Sequence, residues 1–244
     1  MSHLKSIGKA VLPAGVCRML WAWTHRRRSP LARYPGLSPM SRAFGLDRGQ
    51  PIDRYYIERF LAENAADVTG RVLEIGDAEY TRRFGLRRVT RSDVLHAAPG
   101  NSAATLVGDL ETGRGVPAAA YSCIILTQTL PFIYDVRAAV RSCHAALAPG
   151  GVVLATLSGI SQISRYDADQ WGDYWRFTPQ SAGRLFGDVF APKNVEVRTH
   201  GNVFAACAFL QGLASHELTP AELDAVDPDY PVLLTVRAVK GGGT

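Results

Sequence analysis

Between Gln162 and Thr178 the chain concentrates Tyr166, Asp167, Asp169, Trp171, Asp173, Tyr174, Trp175 and Arg176. A carboxylate in such company can take a proton from an acceptor hydroxyl while aromatic faces hold a sugar or ring. Asp167 and Asp169 are therefore candidate general bases. Tyr166, Trp171, Trp175 and Arg176 are candidate acceptor contacts, with Tyr55 and Tyr56 facing them from a helix over 52–60. Two other arrangements fit the same residues. The acids could gather a divalent ion through oxygen ligands, or Asp173 could pair with Arg176 while the tryptophans complete the core; no metal is expected. His96, His144, His200 and His216 have no partner spacing; His96 alone lies near the ligand-binding face and is the third candidate base. No Ser-centred nucleophile elbow, HExxH, Walker A or GxGxxG run occurs, so hydrolase, kinase and nicotinamide or flavin chemistries lack a motif.

A second constellation reads as a cofactor site. Arg71-Val72-Leu73-Glu74-Ile75-Gly76-Asp77 is a short apolar run ending in an acid and a glycine. Such a run is too short for a helix. Its glycine lets the backbone turn and meet a ligand without a Cβ in the way. In an open α/β sheet, nucleotide-type ligands bind at the carboxyl ends of strands in this manner. Further along stand the acids Asp93 and Asp109, the latter in Gly108-Asp109-Leu110. Either acid alone also suits a strand-end turn.

The elements that must position these residues alternate. A helix is expected over 52–64, then strands over 71–75, 88–90, 104–107 and 122–126, the last continuous and apolar as a central parallel strand should be. A helix over 135–147 stops at Ala148-Pro149-Gly150-Gly151, and a fifth strand follows over 152–156. Thr178-Pro179 reads as an N-cap with proline at the first helical position, opening a helix to about Gly187. A strand over 195–199, a helix over 202–214 and a strand over 232–239 complete the pattern. The fold class is α/β: a Rossmann-like doubly wound sheet, mostly parallel with an antiparallel C-terminal strand, plus an N-terminal helical extension.

The chain of 244 residues has 47% apolar and 20% charged side chains and a formal charge of +5, which suits a soluble globular domain. That charge is uneven. Residues 1–50 carry nine basic side chains against the single acid Asp47, so residues 51–244 are net acidic. A nucleic-acid enzyme would carry its positive charge around the cleft; no nucleic-acid partner is expected. Residues 1–50 are expected to form a basic, partly helical extension and 51–244 the domain. Within 1–28, apolar residues at helical spacing with Trp21, Trp23 and the Arg26-Arg27-Arg28 run suit a helix lying on an anionic membrane. Packing on the domain is the alternative. No apolar run reaches the ~18–20 residues of a spanning helix. Cys17, Cys123, Cys143 and Cys207 show no CxxC spacing and are read as inert thiols, so the compartment is expected to be cytoplasmic, with peripheral membrane contact through the extension.

Together, Val72-Leu73-Glu74-Ile75-Gly76, Asp93, Gly108-Asp109-Leu110 and Leu147-Ala148-Pro149-Gly150-Gly151 resemble the class I S-adenosylmethionine-dependent methyltransferases over roughly residues 52–240. The segment Asp173-Tyr174-Trp175-Arg176-Phe177-Thr178-Pro179 is similar to one in bacterial, type 11-like members associated with sugar and glycoconjugate biosynthesis. The resemblance implies S-adenosylmethionine as cofactor. It implies that Gly76 and Asp77 line its amino-acid end, with Glu74 orienting that loop or reaching the ammonium. It further implies Asp93 on the ribose, Asp109 and Leu110 beside the adenine, and Thr127 and Gln128 facing the reactive end. The expected reaction is O-methylation of a small or glycosylated acceptor in secondary-metabolite or cell-surface biosynthesis. One departure stands out. Where the family's first loop repeats glycine, this chain has Ala78 and Tyr80, which keeps open a non-catalytic member that regulates or scaffolds a partner enzyme. No oligomeric state follows from the sequence.

Overall fold

In a computed structural model, residues 36–242 are described. The chain divides into two units, Met1–Ser38 and Pro39–Thr244. The interfacial-helix expectation for 1–28 lies outside the described residues. The second unit begins at Pro39. Its first stretch is tied in by the N–H groups of Met40 and Ser41 donating to the Gln211 carbonyl, at 2.8 and 3.2 Å. Arg48 Nε also donates to Glu217 Oε2 at 3.0 Å.

Seven strands form one sheet: β1 (Gly70–Ile75), β2 (Val89–His96), β3 (Leu106–Val107), β4 (Tyr121–Thr127), β5 (Leu147–Ser158), β6 (Val195–His200) and β7 (Leu233–Val239). Their order is β3-β2-β1-β4-β5-β7-β6. The first five run parallel, and β7 is antiparallel to both of its neighbours. The central strands are buried on both faces, which is why they read as continuous apolar runs. Their side chains alternate between two cores. Leu73, Ile124, Leu126 and Val153 face α2 (Val136–Ala146) and α4 (Pro179–Phe190). Val72, Cys123, Ile125 and Leu154 face α1 (Ile52–Glu63) and α5 (Val203–Gln211).

Local chemistry sets the helix ends. The Asp135 side chain accepts the Ala138 N–H, and Thr178 accepts that of Ser181 with Pro179 following. At the other end of α2, Lys240 Nζ donates to the carbonyls of His144 and Leu147, at 2.8 and 2.7 Å. Gly150 takes φ +78, and a Cβ on Gly151 would sit 2.8 Å from the Tyr121 carbonyl oxygen. The Pro149-Gly150-Gly151 turn thus lets α2 feed directly into β5 beside β4, and β5 is longer than expected. Two short helices were not expected: α3 (Arg165–Gln170), inside the acid- and aromatic-rich segment, and α6 (Pro220–Asp224).

The largest difference lies in β2. Its polar run Arg91-Ser92-Asp93 does not end the strand, which continues to His96. Asp93 pairs in register with Leu73, mid-sheet, so the carboxyl end of β2 is His96 and not an acid.

Candidate active site

Most residues that border the site leave from the carboxyl edge of the parallel strands, and the rest come from α1 and the segment before it. At the end of β1, Glu74 is buried and its two oxygens accept the N–H groups of Tyr80 at 3.1 Å and Thr81 at 2.7 Å. Burial pushes its carboxyl up, and those hydrogen bonds only partly offset the shift. Glu74 therefore shapes the loop it precedes. Gly76 takes φ +88, and an added Cβ would meet no heavy atom within 4 Å. The backbone here borders open space. Gly76 alone in this loop has positive φ; Tyr80 is already in helical conformation (φ −71) at the start of a single turn of π-helix, Thr81–Gly85. Ala78 and Tyr80 thus need no glycine, because the chain turns once and then coils.

Two cavities meet over this edge. The larger, about 530 Å³, takes in Glu74, Asp77, Tyr80, Thr127 and, from the far side, Asp167 and Arg176. The smaller, about 320 Å³, takes in Gly76, His96, Asp109, Leu110 and Trp171. Ile75, Gln128, Phe132, Tyr166 and Asp167 border both. Gln128 is at φ +46, rare for a residue with a side chain. It is held there by its N–H to the Thr156 carbonyl at 3.0 Å and by Ser158 Oγ donating to its Oε1 at 2.8 Å. The junction of the cavities is therefore a built feature of the β4 end.

Around the junction, the Asp167 carboxylate accepts from Ser164 Oγ at 2.5 Å. Asp109 is folded onto its own turn, accepting from the Glu111 N–H and Thr112 Oγ1. His96 Nδ1 lies 2.7 Å from the Ala98 carbonyl, and its ring meets Trp171 edge-on at 5.6 Å. A carbonyl only accepts, so this short contact places a proton on Nδ1, and in the neutral ring Nε2 is then the acceptor. Arg176 grips Asp173 with two nitrogens, at 2.5 and 3.0 Å, and donates to the Gln162 carbonyl at 2.6 Å. Burial would raise the Asp173 carboxyl, but the Arg176 guanidinium and the Ser164 N–H together outweigh it and hold it below the usual range. Arg176 thus both borders the cavity and ties the 162–176 segment together.

Several expected site residues lie elsewhere. Asp93 lines neither cavity; it is buried between Arg71 and Arg91, and these ion pairs satisfy it within the sheet. Tyr55 donates to Asp224 and Tyr56 to the Leu223 carbonyl, each at 2.8 Å, and neither borders a cavity. The cause is helix phase: at 100° per residue, the face of α1 toward the cavity carries Asp53, Arg54 and Ile57 instead. Trp175 donates Nε1 to the carbonyls of Ile133 and Tyr134, both at 3.1 Å, bracing the loop after β4 rather than lining the site. Asp169 pairs with Arg165 in solvent. Among the described residues no group of His, Cys, Asp and Glu is arranged to hold a metal ion.

The sequence matches a methyltransferase-domain family over residues 50–216. The chain belongs to this methyltransferase family. No curated protein matches it. Among solved structures, it is similar to an S-adenosylmethionine-dependent methyltransferase from Archaeoglobus fulgidus (11% identity, 77% of this chain and 94% of that one, TM-score 0.51). It is also similar to the cyclase SpnF (17% identity, 93% and 96%, TM-score 0.52). A third, NodS from Bradyrhizobium japonicum, is an N-methyltransferase in complex with S-adenosylhomocysteine (13% identity, 79% and 89%, TM-score 0.48). The cofactor of the methyltransferase domain is S-adenosylmethionine. Paired cavities, open space at Gly76 and charged groups of both signs fit an elongated ligand with a nucleoside and a zwitterionic end. Among the described residues no helix is long and apolar enough to cross a membrane.

Proposed function

We propose that this methyltransferase O-methylates a small or glycosylated acceptor, of the kind made in bacterial secondary-metabolite or cell-surface glycoconjugate biosynthesis. The observation that carries the reading is the placement of Asp167, Tyr166 and Gln128 on the border of both cavities. There an acceptor entering the larger cavity would meet the reactive end of a cofactor whose nucleoside extends into the smaller. When bound, S-adenosylmethionine supplies an electrophilic methyl group on a sulfonium sulfur. The protein's part is alignment and proton removal. Gly76 would leave room for the cofactor beside the backbone, and Leu110 and Asp109 would border its adenine. His96, at the β2 terminus, offers Nε2 to the ribose hydroxyls in the place where an acid was expected. Asp167 takes the acceptor's proton, oriented by Ser164. Tyr166 and Trp171, both exposed, give the acceptor ring its faces. Residues 1–28 hold the enzyme at an anionic membrane surface where a glycolipid-type acceptor would reside. The test is calorimetric titration with S-adenosylhomocysteine, followed by incubation of the loaded enzyme with a panel of hydroxylated and glycosylated compounds. Gain of one methyl on oxygen, mapped by NMR, supports the reading. Methylation confined to amines refutes the oxygen assignment.

A further inference from the structure

The first turn of α1 brings two opposite charges to the larger cavity, and nothing in the catalytic reading uses them. Asp53 and Arg54 both line it. The Asp53 carboxylate accepts the Arg54 N–H at 2.8 Å, and neither side chain takes part in an ion pair among the described residues. A carboxylate at a helix N-terminus ordinarily ionises easily. Here burial pushes Asp53 up to about 6, against the weaker pull of the Arg54 backbone and charge and of Gln128. Its surroundings make it a carboxyl that is half-protonated at about pH 6.

The neighbouring charges do not supply its partner. From the β1 end, Glu74 is turned onto its own loop, Asp77 accepts the Glu79 N–H at 2.7 Å, and Tyr80 stands against Phe84. Across the cavity Arg176 is taken by Asp173 and Arg165 by Asp169. Asp167 and Glu79 add negative charge, and Arg42 borders the same cavity from the preceding segment. Adjacent carboxylate and guanidinium groups, open to a cavity that also reaches Gly76's strand end, match an α-amino acid zwitterion: the carboxylate meets an ammonium, the guanidinium a carboxylate.

We propose that Asp53 and Arg54 hold the α-ammonium and α-carboxylate of the cofactor's amino-acid end, and that seating the ammonium expels the proton from Asp53. Cofactor loading is thereby coupled to proton release. The step moves one proton from the Asp53 carboxyl to solvent and breaks no other bond. It rests on the methyltransferase reading.

Two probes separate the assignment from that reading. S-adenosylhomocysteine carries the amino-acid end, and 5′-methylthioadenosine keeps the nucleoside and sulfur without it. Calorimetry at pH 6 in phosphate and in imidazole, whose ionisation heats differ, counts the protons released. The wild-type protein should release about half a proton with S-adenosylhomocysteine and none with methylthioadenosine, as a group titrating near 6 requires. Its affinity for S-adenosylhomocysteine should fall about tenfold from pH 7 to pH 5, that for methylthioadenosine hardly at all. Asp53→Asn should abolish the proton release and weaken S-adenosylhomocysteine about tenfold at pH 7. Arg54→Gln should weaken it while leaving the release in place. Methylthioadenosine should bind both variants as it binds wild type, which also shows them folded. Unaltered release in Asp53→Asn, or equal losses for both probes, would overturn the assignment alone. Failure of both probes to bind wild type would overturn the cofactor reading and this inference with it.

Discussion

Replacing Asp93 with Asn tests whether this acid serves the fold or the cofactor. In the structure its side chain is 3% exposed, with Arg71 Nη2 at 2.7 Å and Arg91 Nε at 3.1 Å. Removing one member of a fully buried pair costs about 3–5 kcal/mol, because the other charge is left unpaired. Arg91, 61% exposed, returns to water at the cost of a surface pair, about 0–1 kcal/mol. Arg71 is 26% exposed and lies over the Tyr121 ring at 4.8 Å, so it rehydrates only in part. The expected loss is about 2–3 kcal/mol. With a urea m-value near the top of the usual range, roughly 3 kcal/mol per M, the midpoint should drop by about 1 M. The pH dependence has a definite sign. Burial pushes the Asp93 carboxyl up, but the hydrogen bonds from Arg71 and Arg91 outweigh it and hold it below its ordinary value. Its contribution is thus fully present above about pH 4 and is lost as pH falls through the lower native value. The gap between wild type and Asp93→Asn should be constant from pH 7 to about 5 and close on further acidification. Affinity for S-adenosylhomocysteine should stay within about twofold. A variant with an unmoved urea midpoint and a cofactor affinity lowered ten- to a hundredfold would refute the reasoning and return Asp93 to the ribose.

Gly76→Val should weaken S-adenosylhomocysteine by at least about tenfold: the φ of +88 resists a β-branched residue and the new methyls enter the open space at the strand end. Wild-type affinity in that variant would mean no ligand passes there. Asp167→Asn should lower turnover by ~10²–10⁴ with cofactor affinity unchanged, whereas Asp169→Asn, already paired in solvent, should leave both as they were; the reverse ranking in a methyl-transfer assay would exchange their roles. Deleting residues 1–28 should cut co-sedimentation with anionic vesicles while S-adenosylhomocysteine still binds, and undiminished vesicle binding would place the membrane contact elsewhere.

By itself the sequence specified what is local. The alternation of apolar runs with Gly, Pro, Asp and Thr punctuation placed the sheet, the helices capped by Asp135 and Thr178, and the glycine turn after Glu74, since those features depend on side chains within a few positions of one another. Tertiary structure decided which of the chemically capable residues share a space. Asp93 looked like a strand terminus because the run around it is polar; Arg71, 22 residues away on the neighbouring strand, satisfies it and lets the strand run on to His96. Tyr55 and Tyr56 were the conspicuous residues of α1, yet the phase of that helix against the sheet turns them toward α6 and presents Asp53 and Arg54 to the cavity. An acid next to an arginine at a helix start is ordinary in sequence. Only the burial around Asp53, assembled from α1, the β4 end and the segment after β5, gives it unusual chemistry.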